Sequence, residues 1–271
     1  IFKWDVTDIL CNYWFVGNYM TVGGEEGDDA GQVDIFNPEV VRCLAIYQSL
    51  NQAFQVERDQ ADYDSIMEDF ARGNLMFTVG TADTVQTLFQ IWAGEGDVSG
   101  RDASAAQGNL LAEVDGIAEV NSIDEVNSID EVNSIDLVLS RLPWVDEDLK
   151  SRSLSVTGVV AVNGYSQHKE AANDFASYLV GECSGELYSR SGRLSANLDA
   201  WGDAELLEPF VEEYADSMPL PKIMAVSDLW MQLERLFLRI WDGADVETSA
   251  RELSEEIETR ISAYLSSHGT H

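Results

Sequence analysis

Short apolar runs rich in β-branched residues alternate with amphipathic helical patterns along this chain, and that alternation is the strongest limit on its fold. The stretch "YDSIMEDFARGNLMFTVG" (63–80) shows the unit. Ile66, Met67 and Phe70 share one helical face, Gly73 stops the helix, and "LMFTVG" reads as a buried strand. A turn at Gly80–Asp83 leads into another helix, Thr84 to Trp92. Earlier, Asn37 and Pro38 form a helix start, an N-cap followed by proline at the first helical position. Val40, Val41, Leu44 and Tyr47 then fall on one face. Later, "LVLSRLPW" (137–144) and "SLSVTGVVAV" (153–162) read as strands, and Ser166 is expected to cap the next helix. That helix gathers Ala171, Ala172, Phe175, Ala176 and Leu179 on one face. A Pro-rich crossing, "SMPLPKIMAVSDLW", precedes a strongly apolar helix. Asp245 opens the last one, with Ala250, Leu253, Ile257, Ile261 and Tyr264 in register. Strands alternating with helices predict an α/β protein.

Two segments stand outside this pattern. "GGEEGDDAGQVD" (23–34) reads as a solvated hairpin or loop. "EVNSID" occurs three times from Glu119 to Asp136, after the degenerate copy "EVDGIA". Val and Ile recur there at every third position, which drifts about 60° per step on an α-helix and builds no stable apolar face. Four hexapeptides are too few for a β-solenoid. Residues 113–136 are therefore read as a low-complexity surface insertion without a specific role.

The 49 acidic residues face only 16 Lys and Arg, a net charge of −33 over 271 residues. The acids are dispersed and not blocked, as on the surface of a salt-loving archaeal protein. No basic stripe exists, so nucleic acid is excluded as a partner. A hydrophobic content of 45% points to a globular chain, and no apolar run is long enough to cross a bilayer as a helix. Cys11, Cys43 and Cys183 show neither CxxC nor metal spacing; buried free thiols are expected, with a Cys11–Cys43 bridge as the alternative. No metal or cofactor is predicted.

Catalytic signals are lacking. His168 sits in the first turn of its helix, with no GxSxG elbow, Walker loop, GxGxxG or HExxH anywhere. Carboxylate pairs such as Glu212–Glu213 and Glu255–Glu256 could serve a glycosidase, but such pairs carry little information in so acidic a chain. The seven tryptophans say more. Trp241 lies in an apolar helix and reads as packing. Trp4 and Trp230 stand near a strand end and a Pro-rich crossing, places that often line a cleft, where flat aromatic faces stack on sugar rings.

Taken in order, "FKWD", "FNPEVVRCLAIYQSL", "YDSIMEDFARGNLMFTVGTAD", "VTGVVAVNGYSQHKEAANDFASYLV", "MPLPKIMAVSDLW" and "IWDGADVETSARELSEEIETRIS" resemble the C-terminal part of extracellular solute-binding proteins of the maltose-binding type, the receptors of sugar ABC transporters. The resemblance covers nearly the whole chain except the hexapeptide insertion. It implies a periplasmic-binding-protein type II-like α/β fold, with residues 1–157 and 217–271 in the second lobe and 158–216 in part of the first. It implies no enzymatic activity, a sugar or similar polar solute bound in an interlobe cleft, and membrane permease subunits as partners. It also implies an extracellular, cell-surface location through a lipid-anchored segment expected upstream. Trp230 is the first expected stacking residue and Trp4 the second. Thr81 and Asp83 lie at a strand-end turn able to reach ligand hydroxyls, and Gly158 lies where the chain would cross between lobes. The family's tryptophan after the "GNLMFTVG" strand is replaced by Thr81-Ala82-Asp83. The competing readings are an acidic glycosidase-like enzyme and a truncated remnant that binds nothing.

Overall fold

The computed structural model describes residues 2–54, 56, 61–92, 137–197 and 204–268. The expected insertion at 113–136 and Trp201 lie outside the described residues. The chain forms two compact units, 3–62 with 139–159 and 207–271, and 1–2 with 63–138 and 160–206. These units group 63–138 with 160–206, whereas the resemblance assigns 1–157 and 217–271 to one lobe and 158–216 to the other.

The larger unit is built on an aromatic core. Two 3₁₀ turns, Ile9–Cys11 and Tyr13–Phe15, open it. A hairpin of β1 (Thr21–Gly23) and β2 (Asp29–Asp34) follows, then helix α1 (Pro38–Phe54). Asn37 caps α1 as expected, its Oδ1 accepting from Val40 N–H at 2.8 Å. Val40, Cys43, Leu44 and Tyr47 are buried at helical spacing, and Val41 is only half-buried. Further along the chain come β3 (Leu154–Ser155), α6 (Ala204–Asp216), β4 (Met218–Pro219), α7 (Leu229–Trp241) and α8 (Val246–His268). Gln48 and Asn51 of α1 donate to the carbonyls of Ile240, Ala244 and Trp241 at 2.8–2.9 Å, satisfying acceptors that the end of α7 leaves open. Gly243, in the left-handed region, lets the Ala244 N–H reach back to the Arg239 carbonyl and closes that end. On α8, Asp245 caps through Oδ1 to Thr248 N–H, and Ala250, Leu253, Ile257 and Ile261 are buried as the sequence predicts. Cys11 and Cys43 are buried and not joined in a disulfide, and burial pushes Cys43 up to about 11; Cys183 is half-buried.

At the centre, Tyr47 is ringed by Phe15, Phe237 and Trp241 at centroid distances of 5.0–5.1 Å, and Trp4 meets Trp241 edge-on at 5.5 Å. The Tyr47 hydroxyl is buried there without a hydrogen-bond partner. An unsatisfied buried hydroxyl costs about 1–3 kcal/mol, so Tyr47→Phe is expected to leave stability unchanged or raise it by about 1 kcal/mol in urea titration. A loss above about 1 kcal/mol would mean that the hydroxyl is partnered.

The GGEEG turn forms the hairpin that its composition predicts, but it is not merely solvated. The Lys222 N–H donates to the Gly27 carbonyl at 2.5 Å. Gly27 has φ +74°, and a Cβ there would stand 2.9 Å from the Leu220 carbonyl oxygen. Gly27→Ala therefore meets both backbone strain and a collision, with an expected cost of about 1–3 kcal/mol by thermal or urea unfolding. An unchanged midpoint would show that the turn is free to move.

The smaller unit holds α2 (Tyr63–Ala71), α3 (Ala82–Trp92), α4 (Lys169–Val180) and α5 (Ser184–Ser191). Ile66 and Met67 of α2 are buried with Val85 and Leu88 of α3, and the Trp92 indole donates to the Ala71 carbonyl at 3.0 Å. Gly73, at φ +76°, ends α2 as predicted.

The strands are where expectation and structure part. In "LMFTVG", Leu75 is buried, but Met76 and Phe77 are exposed, and the only ladder contact among the described residues is a parallel bridge from Phe77 to Phe2. "LVLSRLPW" forms no strand, and "SLSVTGVVAV" pairs only at Leu154–Ser155, parallel to Met218–Pro219. Composition marks a segment that suits a pleated, half-buried surface; a strand also needs a neighbour to pair with.

Candidate functional site

Trp230 is the second residue of α7, one turn before Glu234. Leu229 and Leu233 point into the core, which leaves Trp230 half-buried beside the exposed Met231. Its indole and the Glu234 carboxylate are i,i+4 neighbours on α7. Burial raises the Glu234 carboxyl above its usual range, the bond from Trp230 lowers it, and the nearby Asp5 charge raises it further. Asp228, just before α7, is held down at about 2, chiefly by its hydrogen bonds with Arg260. Arg260 Nη1 and Nη2 reach its two oxygens at 3.1 and 2.5 Å, so Asp228 ties α7 to α8. Trp230 thus stands half-buried at a helix start that Asp228 and Arg260 anchor.

Trp4 does not fit the stacking role expected of it. It is 0% exposed, its Nε1 donates to Asn12 Oδ1 at 2.9 Å, and its ring edge meets Trp241. A sugar platform needs an open face, and this one is enclosed by the core. Asn12 in turn donates to the backbone carbonyls of Asp5 and Asp8, while Asp5 Oδ1 accepts from the backbone and hydroxyl of Thr7. Trp4 therefore anchors the turn that opens the larger unit.

Thr81 and Asp83 are brought together at the start of α3. The Thr81 hydroxyl donates to Asp83 Oδ1, and the Thr81 N–H donates to Thr84 Oγ1 at 3.1 Å, one arm of a capping box. The Tyr63 hydroxyl reaches Thr87 Oγ1 at 3.3 Å behind them. Thr81 is thereby engaged in shaping the helix start, while Asp83 stays exposed. Gly80 must be glycine, since a Cβ would lie 2.4 Å from Thr84 Oγ1. Gly158 is exposed, and a Cβ there would meet nothing within 4 Å, so no close approach demands glycine at that position.

His168 is the N-cap of α4, exposed and without a side-chain capping bond. Ser166, the expected cap, stands two residues before it, its Oγ accepting from His168 N–H at 3.1 Å in a local turn. The carboxylates weighed as glycosidase pairs meet cations: Glu213 contacts Arg141 at 3.2 Å and Glu256 contacts Arg260 at 3.9 Å. Among the described residues no group of three or more His, Cys, Asp or Glu could hold a metal ion, and no helix is long and apolar enough to cross a membrane. Glu234 is the residue that sequence reasoning missed. Its spacing from Trp230 was visible, but one acid among 49 carries no signal.

No protein-family model and no curated protein matches the sequence. Solved structures do match the fold. The maltose-maltodextrin binding protein of Alicyclobacillus acidocaldarius aligns with a TM-score of 0.62 at 13% identity, over 95% of this chain and 61% of that one. The maltose-binding periplasmic protein of Listeria monocytogenes, in complex with maltose, gives 0.61 at 19% identity, over 97% and 60%. The maltotriose binding protein of Thermus thermophilus, bound with maltotriose, gives 0.62 at 16% identity, over 96% and 61%. The chain therefore has the periplasmic-binding-protein type II fold in part, spanning about three fifths of the length of these proteins.

Proposed function

We propose that the complete protein is the extracellular solute-binding component of an ABC importer, that it takes a carbohydrate or similar polyhydroxylated solute, and that it is not an enzyme. The observation that supports this most is the likeness of fold, over nearly the whole chain, to three proteins that bind maltose, maltodextrin or maltotriose. At residue level, Trp230, half-buried on α7, is the stacking surface. Asp83 supplies a carboxylate for ligand hydroxyls from the start of α3, with Thr81 setting its orientation. Gly158 contributes at most backbone. Permease subunits in the membrane are the partners that this role requires.

Trp230→Ala is expected to weaken ligand binding by about 1–3 kcal/mol, since an aromatic anchor carries much of such a site, and to change stability far less than a core tryptophan would. The experiment is a thermal-shift panel of mono- and oligosaccharides, polyols and amino acids on the complete protein in molar KCl. A ligand at about 100 times its Kd adds about 2.7 kcal/mol, an easily read rise. Stabilisation by a sugar supports the reading; stabilisation by an amino acid alone moves the substrate class.

A further inference from the structure

Asn163 and Gly164 form the single Asn–Gly pair of the sequence. They lie in the turn that precedes α4, and both are exposed. The Asn163 carbonyl accepts from Ser166 N–H at 3.0 Å, and Asn163 Oδ1 accepts from Tyr165 N–H at 2.9 Å, an Asx turn. Three features leave the Asn163 side-chain amide open to attack by its own backbone. Glycine has no Cβ to crowd the Gly164 nitrogen, and a Cβ placed there would meet nothing within 4 Å, so no neighbour fills the space either. Neither the Gly164 N–H nor Asn163 Nδ2 has a hydrogen-bond partner among the described residues. The Tyr165 N–H is already bonded to the oxygen on which negative charge would develop during attack at Cγ, the help that an oxyanion hole gives. Asn12, Asn37 and Asn51 lack this combination. Asn37 precedes Pro38, which has no N–H to attack with. Asn12 is 1% exposed, and its Nδ2 donates to two backbone carbonyls. Asn51 lies inside α1, and its Nδ2 donates to the Trp241 carbonyl.

We infer that Asn163 is a site of spontaneous covalent modification, at which the chain deamidates itself and forms isoaspartate. The Gly164 nitrogen bonds to Asn163 Cγ, the Cγ–Nδ2 bond breaks, and ammonia leaves with the proton that the Gly164 nitrogen gives up. Water, the only other reactant, then opens the five-membered imide at one of its two carbonyls. Nothing is oxidised or reduced. Opening at Cγ yields aspartate. Opening at the main-chain carbonyl yields isoaspartate, whose backbone runs through Cβ and Cγ. Both products carry a new carboxylate, and the isoaspartyl one removes from the main chain the carbonyl that holds Ser166 N–H.

The test incubates the 271-residue chain at neutral pH in molar KCl, folded and in parallel unfolded by urea, and follows each asparagine by peptide mass mapping. The peptide that holds Asn163 should gain the mass of exchanging NH for O and split into two chromatographic species. One of them should accept methyl groups from S-adenosylmethionine through an isoaspartyl methyltransferase. The reaction should run about 10-fold or more faster than at Asn12, Asn37 and Asn51 in the folded chain, and at least as fast folded as in urea. Gly164→Val crowds the attacking nitrogen and should slow it about 10-fold, folded or unfolded, since the effect is local. A folded rate about 10-fold below the rate in urea would show that the turn restrains the reacting atoms, and would overturn the inference. So would an unchanged rate in Gly164→Val, or modification spread evenly over these asparagines.

Discussion

Trp241→Ala should cost about 3–5 kcal/mol, the range for deleting a large aromatic side chain from a packed core. Its ring is the hub of the larger unit: Trp4 meets it at 5.5 Å and Tyr47 at 5.1 Å. Its Nε1 donates to the Val56 carbonyl at 3.3 Å, and its own carbonyl accepts from Asn51 at 2.9 Å. Truncation would leave a cavity bordered by rigid rings, which relax poorly, and would strip a partner from a buried carbonyl. Domains of this size are stable by only about 5–15 kcal/mol, so the change removes a large share of the total. Urea unfolding followed by far-UV circular dichroism in molar KCl would read it. A loss below about 1 kcal/mol would mean that the aromatic cluster is loosely packed.

Raising KCl from 0.1 M to 3 M should raise the melting temperature by about 10 °C or more. Two opposing effects set the sign. Added salt weakens ion pairs such as Arg42–Asp148 and Arg251–Glu247, but these are surface pairs worth at most about 1 kcal/mol each. It also screens repulsion among carboxylates, and here the count decides. With 16 Lys and Arg for 49 acids, most acids have no cation to lose and only like neighbours to be screened from. The screening length falls from about 10 Å at 0.1 M to about 3 Å at 1 M, shorter than the usual gap between surface charges. A melting temperature that stays flat or falls across that range would contradict the account.

The helices were legible in the sequence because their signals are local. Asn37–Pro38 started α1 and Asp245 started α8, while the buried residues of α8 from Ala250 to Ile261 kept register over about three turns. Apart from the β1–β2 hairpin, the strands were not legible, because pairing is a property of two segments. Phe77 and Val156 have the composition of a strand, but composition cannot reveal whether a neighbour lies alongside. Trp4 and Trp230 illustrate the same limit at the candidate site. Both are tryptophans near a change of chain direction, yet one is enclosed by Trp241 and Asn12 while the other is only half-buried. Only the three-dimensional neighbours reveal that difference. The charge of the chain hid Glu234 in the same way, since its burial beside Trp230, and not its type, sets it apart.

If the complete protein binds a carbohydrate through Trp230, as proposed, isothermal titration with maltose, maltotriose and longer maltodextrins in molar KCl should give saturable heat with a stoichiometry of one for at least one of them. The affinity should be about 5- to 150-fold lower in Trp230→Ala, the equivalent of about 1–3 kcal/mol. Absence of heat with all of them, in protein whose cooperative unfolding shows it to be folded, would contradict the claim.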